Sequence, residues 1–332
     1  MSDTKRNIVD VGIIGAGPAG LFAAFYAGMR GMTSFIVESL PQVGGQLAAL
    51  YPEKYIYDVG GFPQIRAKEL VANLERQAMR FEPDIFLEET VEDLFRDEDG
   101  IFHLKTQKDE HQCRAVIIAA GVGSFQPKRI PLPEAERFED RGIVYAVPNP
   151  ATLTGQNVVV LGGGDSAVDW ALMAKPVAKS VTLVHRRNQF RAHEESLKQV
   201  HESGIQIKTP YEAVELRGGD RLEEIVIQNK ETGESETLPA ETVVVSFGFQ
   251  SSLGPMAEWG IEMDNREIKV DPTTMATSIP GVFAIGDCAT YHGKLQLIAM
   301  GFGEAPVAVT QAKHFIDPSQ KIHTVHSSNL KF

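Results

Sequence analysis

An α/β chain of two domains, one inserted within the other, is what this sequence predicts, and three observations carry that reading. A strand, glycine turn and helix occupy residues 8–27, and the same construction recurs at 157–174. In both copies the next apolar strand ends at the same distance from the first turn glycine: Gly15 to Glu38 and Gly162 to His185 are each steps of 23 residues. Short apolar runs that end in glycine, at 116–121, 243–248 and 281–286, supply the strands that close each domain.

In the first copy, Ile8 to Ile14 is an apolar run of the kind that a parallel strand covered on both faces requires. It leads into Gly15-Ala16-Gly17-Pro18-Ala19-Gly20 and then the helical stretch Leu21 to Ala27. Glycines here let the backbone come close to a pyrophosphate, which then rests on the free N–H groups of the helix N-terminus. The following strand, Ser34 to Val37, ends on Glu38, whose carboxylate suits ribose hydroxyls. The G-x-G-x-x-G pattern alone would describe any tight turn. The flanking strand, helix and acid at the right distance make it a nucleotide site.

The second copy runs from the strand Asn157 to Leu161 through Gly162-Gly163-Gly164-Asp165-Ser166-Ala167 into a helix that starts at Val168. Its second strand, Ser180 to Val184, ends at His185-Arg186-Arg187, with Arg191 shortly after. A carboxylate at this place repels a 2′-phosphate, whereas guanidinium groups grip it with paired, charge-assisted hydrogen bonds. A solvated basic turn is the plain alternative, and the placement at the ribose position favours NADPH over NADH. The two copies thus define two Rossmann-like dinucleotide-binding domains. Residues 1–121 with 250–332 form the first, and 122–249 form the inserted one.

Composition narrows the rest. The 332 residues are 43% hydrophobic and 23% charged, a globular balance, and the net charge of −12 argues against nucleic acid as a partner. The two cysteines, Cys113 and Cys288, have neither disulfide-redox nor metal-ligand spacing, so no metal is expected and the compartment reads as reducing, cytoplasmic. Val11 to Met29 is uncharged for 19 residues. Gly12, Gly15, Gly17, Pro18 and Gly20 interrupt it where a spanning helix needs continuity, so no membrane segment is expected.

These motifs, with Gly44-Gly45-Gln46-Leu47 and Ala284-Ile285-Gly286-Asp287, resemble the low-molecular-weight thioredoxin reductases. Those enzymes carry Cys-x-x-Cys just before the second nucleotide strand, where this chain reads Tyr145-Ala146-Val147-Pro148-Asn149-Pro150. Passing two electrons to a protein disulfide needs a dithiol, so that mechanism is excluded. The stretch from Gly44 to Lys54, Gly301-Phe302-Gly303-Glu304-Ala305-Pro306 and the tail with His326-Ser327-Ser328 make the chain similar, over nearly its whole length, to the thioredoxin-reductase-like ferredoxin–NADP+ reductases.

The resemblance implies FAD in the first domain and NADPH in the second. It places FAD contacts at Gly15, Gly17, Gly20, Glu38, Gln46, Val91, Phe125, Asp287 and Ser328, with Tyr51 and His326 flanking the flavin ring. NADP contacts fall at Gly162, Gly164, Asp165, Ser166, His185, Arg186, Arg187 and Arg191. The cofactors carry the chemistry, so no side chain is cast as a catalytic nucleophile. The implied partners are ferredoxin or flavodoxin, in a homodimer whose tails cover the neighbouring flavin, with domain rotation about a two-strand hinge. Because those carriers are usually acidic, Arg66, Lys68, Lys128 and Arg129 are candidates for a local docking patch. Two other readings stay open: an NADPH oxidase or diaphorase, and a non-catalytic FAD-binding redox sensor.

Overall fold

The computed structural model describes residues 8–147, 149–252, 254–320 and 326–329. The chain divides into two compact units, Met1–Ser124 with Ser251–Phe332, and Phe125–Gln250. We call them unit 1 and unit 2.

Unit 1 begins with β1 (Val9–Ile14), α1 (Pro18–Met29) and β2 (Ser34–Val37), the strand–turn–helix–strand of the first motif. Pro18 opens α1, where its missing N–H costs no helical hydrogen bond. Nearly every face of α1 is apolar, and the helix packs against both α3 (Ala67–Ala78) and the long C-terminal helix. Between α1 and α3, the single turn α2 (Gln46–Ala49) follows Gly44-Gly45. The strands β3 (Asp84–Phe86), β4 (Val91–Arg96), β5 (Phe102–Thr106) and β6 (Glu110–Ile118) complete the first half. Sheet order is β3-β2-β1-β6-β5-β4, with β3, β2, β1 and β6 parallel and β4 to β6 an antiparallel meander.

Unit 2 is built on β7 (Ile143–Val144), β8 (Asn157–Leu161), α4 (Asp165–Ala174), β9 (Ser180–Val184), α5 (Glu194–Glu202) and β10 (Gln206–Lys208). An antiparallel sheet, β11 (Tyr211–Gly218), β12 (Leu222–Asn229) and β13 (Ser235–Pro239), precedes β14 (Thr242–Val245). The main sheet is parallel throughout, in the order β7-β14-β8-β9-β10. All five residues of β8 are buried, as expected of the central strand of a sheet covered on both faces.

The chain then returns to unit 1. Strand β15 (Val282–Ala284) pairs parallel with the last residues of β6, matching Val282 to Val116 and Ala284 to Ile118. The helix α6 (Ile298–Ile316) ends the unit. Among the described residues, no helix is long and apolar enough to cross a membrane, and no cluster of His, Cys, Asp or Glu is arranged to hold a metal ion.

Candidate functional site

In each unit the glycine turn of the motif leads into a helix N-terminus. In unit 1 the three motif glycines have different tasks. Gly15 sits at φ +105, and its N–H donates to the Val37 carbonyl at 2.8 Å. A Cβ on Gly20 would lie 1.9 Å from the Gly15 carbonyl oxygen, so that glycine exists for helix-to-turn packing. A Cβ on Gly17 would meet nothing within 4 Å. Gly17 alone faces open space, where a ligand's phosphates need room.

Glu38 lies beneath this turn, only 6% exposed. Its Oε2 accepts the Ala16 N–H at 2.7 Å, and its Oε1 accepts the Leu40 N–H at 2.9 Å. Oε1 also accepts the Ser39 hydroxyl at 3.2 Å, so Oε2 keeps the lone-pair capacity for a ribose hydroxyl. The Gly44–Gly45 loop docks onto the same turn: the Gly44 N–H donates to the Ala16 carbonyl at 2.8 Å. The Gln46 amide nitrogen in turn lies 3.5 Å from where a Cβ of Gly121 would sit.

A second helix points at this place. Gly301, in the first turn of α6, approaches so closely that a Cβ there would lie 3.0 Å from the Ala19 Cβ and 3.6 Å from the Gly286 Cα. Neither α1 nor α6 has a side chain capping its N-terminus or an acid in its first turn, so both present free N–H groups and positive dipole ends. Asp287 stands beside them. Burial raises its pKa from the usual carboxylate value, the nearby Lys294 lowers it, and Glu304 adds to the rise. Among the described residues no donor reaches its carboxylate, which leaves a half-buried acceptor without a partner. Tyr51 is partly buried against the unit 1 core, and its hydroxyl pKa is raised, first by burial and then by the charge of Asp287. The Tyr51 hydroxyl therefore feels the charge of Asp287.

The Gly286 turn is held by a cluster that sequence reasoning missed. Glu304, in the middle of α6, accepts the Gly286 N–H at 2.7 Å, the Tyr291 hydroxyl at 2.8 Å and the Lys294 ammonium. Lys294 and Glu304 side chains are 6% and 4% exposed. The available signal was a single carboxylate in an otherwise uncharged stretch from Leu295 to Ala312.

Val91 is buried on β4 within the unit 1 core. The Phe125 side chain falls outside the described residues. His326 and Ser328 are exposed, and among the described residues they make no hydrogen bond or ring contact with this cluster.

In unit 2, Gly162 donates to the Val184 carbonyl at 3.0 Å, and a Cβ there would strike the Ser246 carbonyl oxygen at 2.5 Å. Gly164, the residue before α4, again faces open space. His185 lies over Gly163, where a Cβ would come within 2.2 Å of its ring. Burial lowers the His185 pKa, and Arg186, Arg187 and Arg191 push it the same way against a raising bond from Gln189. The imidazole is thus neutral at pH 7, and the positive charge belongs to the arginines. All three are exposed, and among the described residues none pairs with a carboxylate. Ser246 Oγ is buried with no hydrogen-bond partner beside Gly162. Ser166 is exposed at the start of α4, and Asp165 Oδ1 accepts the His193 N–H at 2.9 Å.

The open positions at Gly17 and Gly164, the unpartnered Asp287 and Ser246, and the three unpaired guanidiniums fit two dinucleotides. Other predicted groups turn out to be committed. Arg66 and Lys68 share Glu53, at 3.3 and 2.6 Å, and Arg129 pairs with Glu139 at 3.0 Å, so two carboxylates balance half of the charge expected at Arg66, Lys68, Lys128 and Arg129. Cys113 and Cys288 are buried, and burial pushes both thiols up to about 12.

Comparison with known proteins agrees with this geometry. Residues 9–312 match the pyridine nucleotide-disulphide oxidoreductase family. A ferredoxin–NADP reductase of Geobacillus thermodenitrificans is 51% identical over 98% of this chain and 98% of its own. A ferredoxin–NADP reductase 2 of Listeria monocytogenes is likewise 51% identical, over 99% of each chain. Among solved structures, the thioredoxin reductase of Lactococcus lactis superimposes with a TM-score of 0.77 at 28% identity, covering 93% of this chain and 99% of that one.

Proposed function

The chain belongs to the ferredoxin–NADP reductase family of pyridine nucleotide-disulphide oxidoreductases, and from that premise we propose that unit 1 holds FAD and unit 2 holds NADPH. Bound there, the flavin links hydride donation by NADPH to single-electron transfer with ferredoxin or flavodoxin. The observation that carries the assignment is the exchange at one equivalent position. Unit 1 has buried Glu38 under its glycine turn, and unit 2 has three arginines beside its own that pair with no carboxylate among the described residues.

The residues divide the work as follows. Gly17 leaves room for the FAD pyrophosphate at the N-terminus of α1, while Gly15 and Gly20 set the turn. Glu38 receives the adenosine ribose, Val91 and Phe125 touch FAD, and Asp287 serves the ribityl–pyrophosphate region, where it accepts hydrogen bonds from ribityl hydroxyls. Gln46 lies by the ring system. Tyr51 packs its flat face on one side of the ring and keeps water away. His326 covers the other side and Ser328 touches the cofactor, both supplied by a second copy of this chain in a homodimer. In unit 2, Gly162, Gly164 and Ser166 cradle the NADPH pyrophosphate, with His185 packed against the turn and Arg186, Arg187 and Arg191 on the 2′-phosphate. Two unpaired, buried thiols suit the cytoplasm.

An anaerobic titration of the yellow holoprotein with NADPH tests the assignment. Flavin absorbance should bleach with NADPH far more readily than with NADH, and cytochrome reduction should then depend on added ferredoxin or flavodoxin. Flavin that NADPH leaves oxidised would overturn the reading in favour of a non-catalytic sensor. Rapid oxygen consumption without any carrier requirement would turn it toward an oxidase.

A further inference from the structure

A carboxylate stands where a phosphate-binding helix should not want one. Asp165 is the first residue of α4, at the positive end of the helix dipole, where it competes electrostatically with an incoming pyrophosphate. Its side chain is, however, already engaged. Asp165 Oδ1 accepts the N–H of His193, the residue that precedes α5, at 2.9 Å. Two residues earlier on that loop, the Arg191 N–H donates to the Gly163 carbonyl at 2.7 Å. The segment between β9 and α5, which carries His185, Arg186, Arg187 and Arg191, is therefore tied to the glycine turn at adjacent points on its C-terminal side.

That tether has work to do. Three guanidiniums in one short loop repel each other, and among the described residues no acid pairs with any of them. Repulsion favours a splayed loop, while gripping a 2′-phosphate needs the guanidiniums converged beside Gly163. We infer that Asp165 is a positioning residue for cofactor choice: its bond to His193 holds the arginine loop against the glycine turn and so sustains the preference for a 2′-phosphate. The inference rests on unit 2 being the NADPH site. It is distinct from direct contact, since the carboxylate never needs to touch the nucleotide.

The test uses the full-length holoprotein and two fragments that differ only in the phosphate of interest, adenosine 2′,5′-bisphosphate and adenosine 5′-monophosphate. Calorimetric titration gives their affinity ratio, which a general loosening of unit 2 would leave unchanged. Asp165→Ala removes the acceptor and should lower the ratio about tenfold, equivalent to about 1.4 kcal/mol. Asp165→Asn keeps an acceptor oxygen at the same place while losing the charge, and should retain the wild-type ratio. Arg191→Ala is the control for the site itself. If Arg191→Ala collapses the ratio and Asp165→Ala does not, the tether is refuted while the NADPH site stands. If Asp165→Asn falls as far as Asp165→Ala, charge rather than tethering is responsible, and the inference is likewise overturned. If even Arg191→Ala leaves the ratio intact, the site assignment fails and takes the inference with it.

Discussion

Replacing Glu304 with Gln should destabilise unit 1 far more than its single-atom change suggests. The carboxylate has three donors, the Gly286 N–H, the Tyr291 hydroxyl and Lys294, and both charged side chains are nearly sealed from water. A glutamine keeps one acceptor oxygen but strands the Lys294 ammonium. Breaking a buried pair in this way costs about 3–5 kcal/mol, because the remaining charge has lost its partner without regaining its hydration. In a unit of roughly 200 residues each kcal/mol moves the melting temperature by about 2–4 °C, so even the lower bound predicts a fall of about 6–12 °C. The assay is thermal melting of the holoprotein, followed by circular dichroism and by the fluorescence of released flavin. Flavin release should shift at least as far as unfolding, since Glu304 fixes the turn that carries Asp287. The double variant Lys294→Met, Glu304→Gln removes the stranded charge and should recover most of the loss. A single variant that melts within about 2 °C of wild type would refute the buried pair. So would a double variant no better than the single.

Gly17→Ala and Gly20→Ala should separate ligand room from protein packing. The first meets no protein atom, so apoprotein stability holds while flavin affinity falls at least about tenfold; the second collides with Gly15 and should reduce the yield of folded protein. Flavin content and melting of the two purified proteins check this. His103 bonds Asp97 and Glu110 through its two ring nitrogens, at 2.9 and 2.7 Å. Partial burial works against its charge, but those bonds outweigh burial and raise its pKa above the usual 6.5, while Asp97 is lowered from 3.8 chiefly by the bond from His103. The His103 contribution is therefore complete below pH 6.5 and lost as pH rises through the folded value, and the Asp97 contribution is lost as pH falls below 3.8. The melting difference between wild type and His103→Gln should thus be largest in mildly acidic buffer and shrink toward pH 9; a difference that grows with pH would contradict it. Finally, Cys113 and Cys288 should resist thiol reagents until the protein unfolds, with reductase activity unaffected; labelling before and after denaturant reads this directly.

The features legible in the sequence are those that repeat or punctuate. Each βαβ unit announces itself through an apolar strand, glycines at fixed offsets and a helix, because backbone geometry at a phosphate admits few substitutes for glycine. The difference between Glu38 and His185-Arg186-Arg187 was equally readable, since position in a repeated unit gives a residue its meaning. What escaped were pairings between residues far apart in the chain. Nothing local marks Glu53 as the partner of both Arg66 and Lys68. Nothing local says that Glu304 reaches Gly286, since a lone acid in a helix usually faces solvent. Nothing local says that Asp165, inside the motif, also accepts the N–H of His193. The domain limits show the same effect: the expected breaks after 121 and 249 fall close to the observed ends at Ser124 and Gln250, because glycine marks the strand ends but not where packing changes hands.

Strand β6 has a consequence for how the protein is made. Its first half pairs with β5, which immediately precedes it, but Val116 to Ile118 pair on that side with β15, which the ribosome delivers only after roughly 160 further residues. At about 5–20 residues per second that is a wait on the order of ten to thirty seconds. Unit 2 emerges complete during the interval and can fold around its own core. The nascent unit 1 meanwhile carries an apolar half-strand with an open edge, the kind of surface that invites chaperones or mispairing. Asp287, Lys294 and Glu304 arrive later still. Any contact that depends on Asp287 therefore forms late in synthesis, when unit 2 already has the whole of its chain.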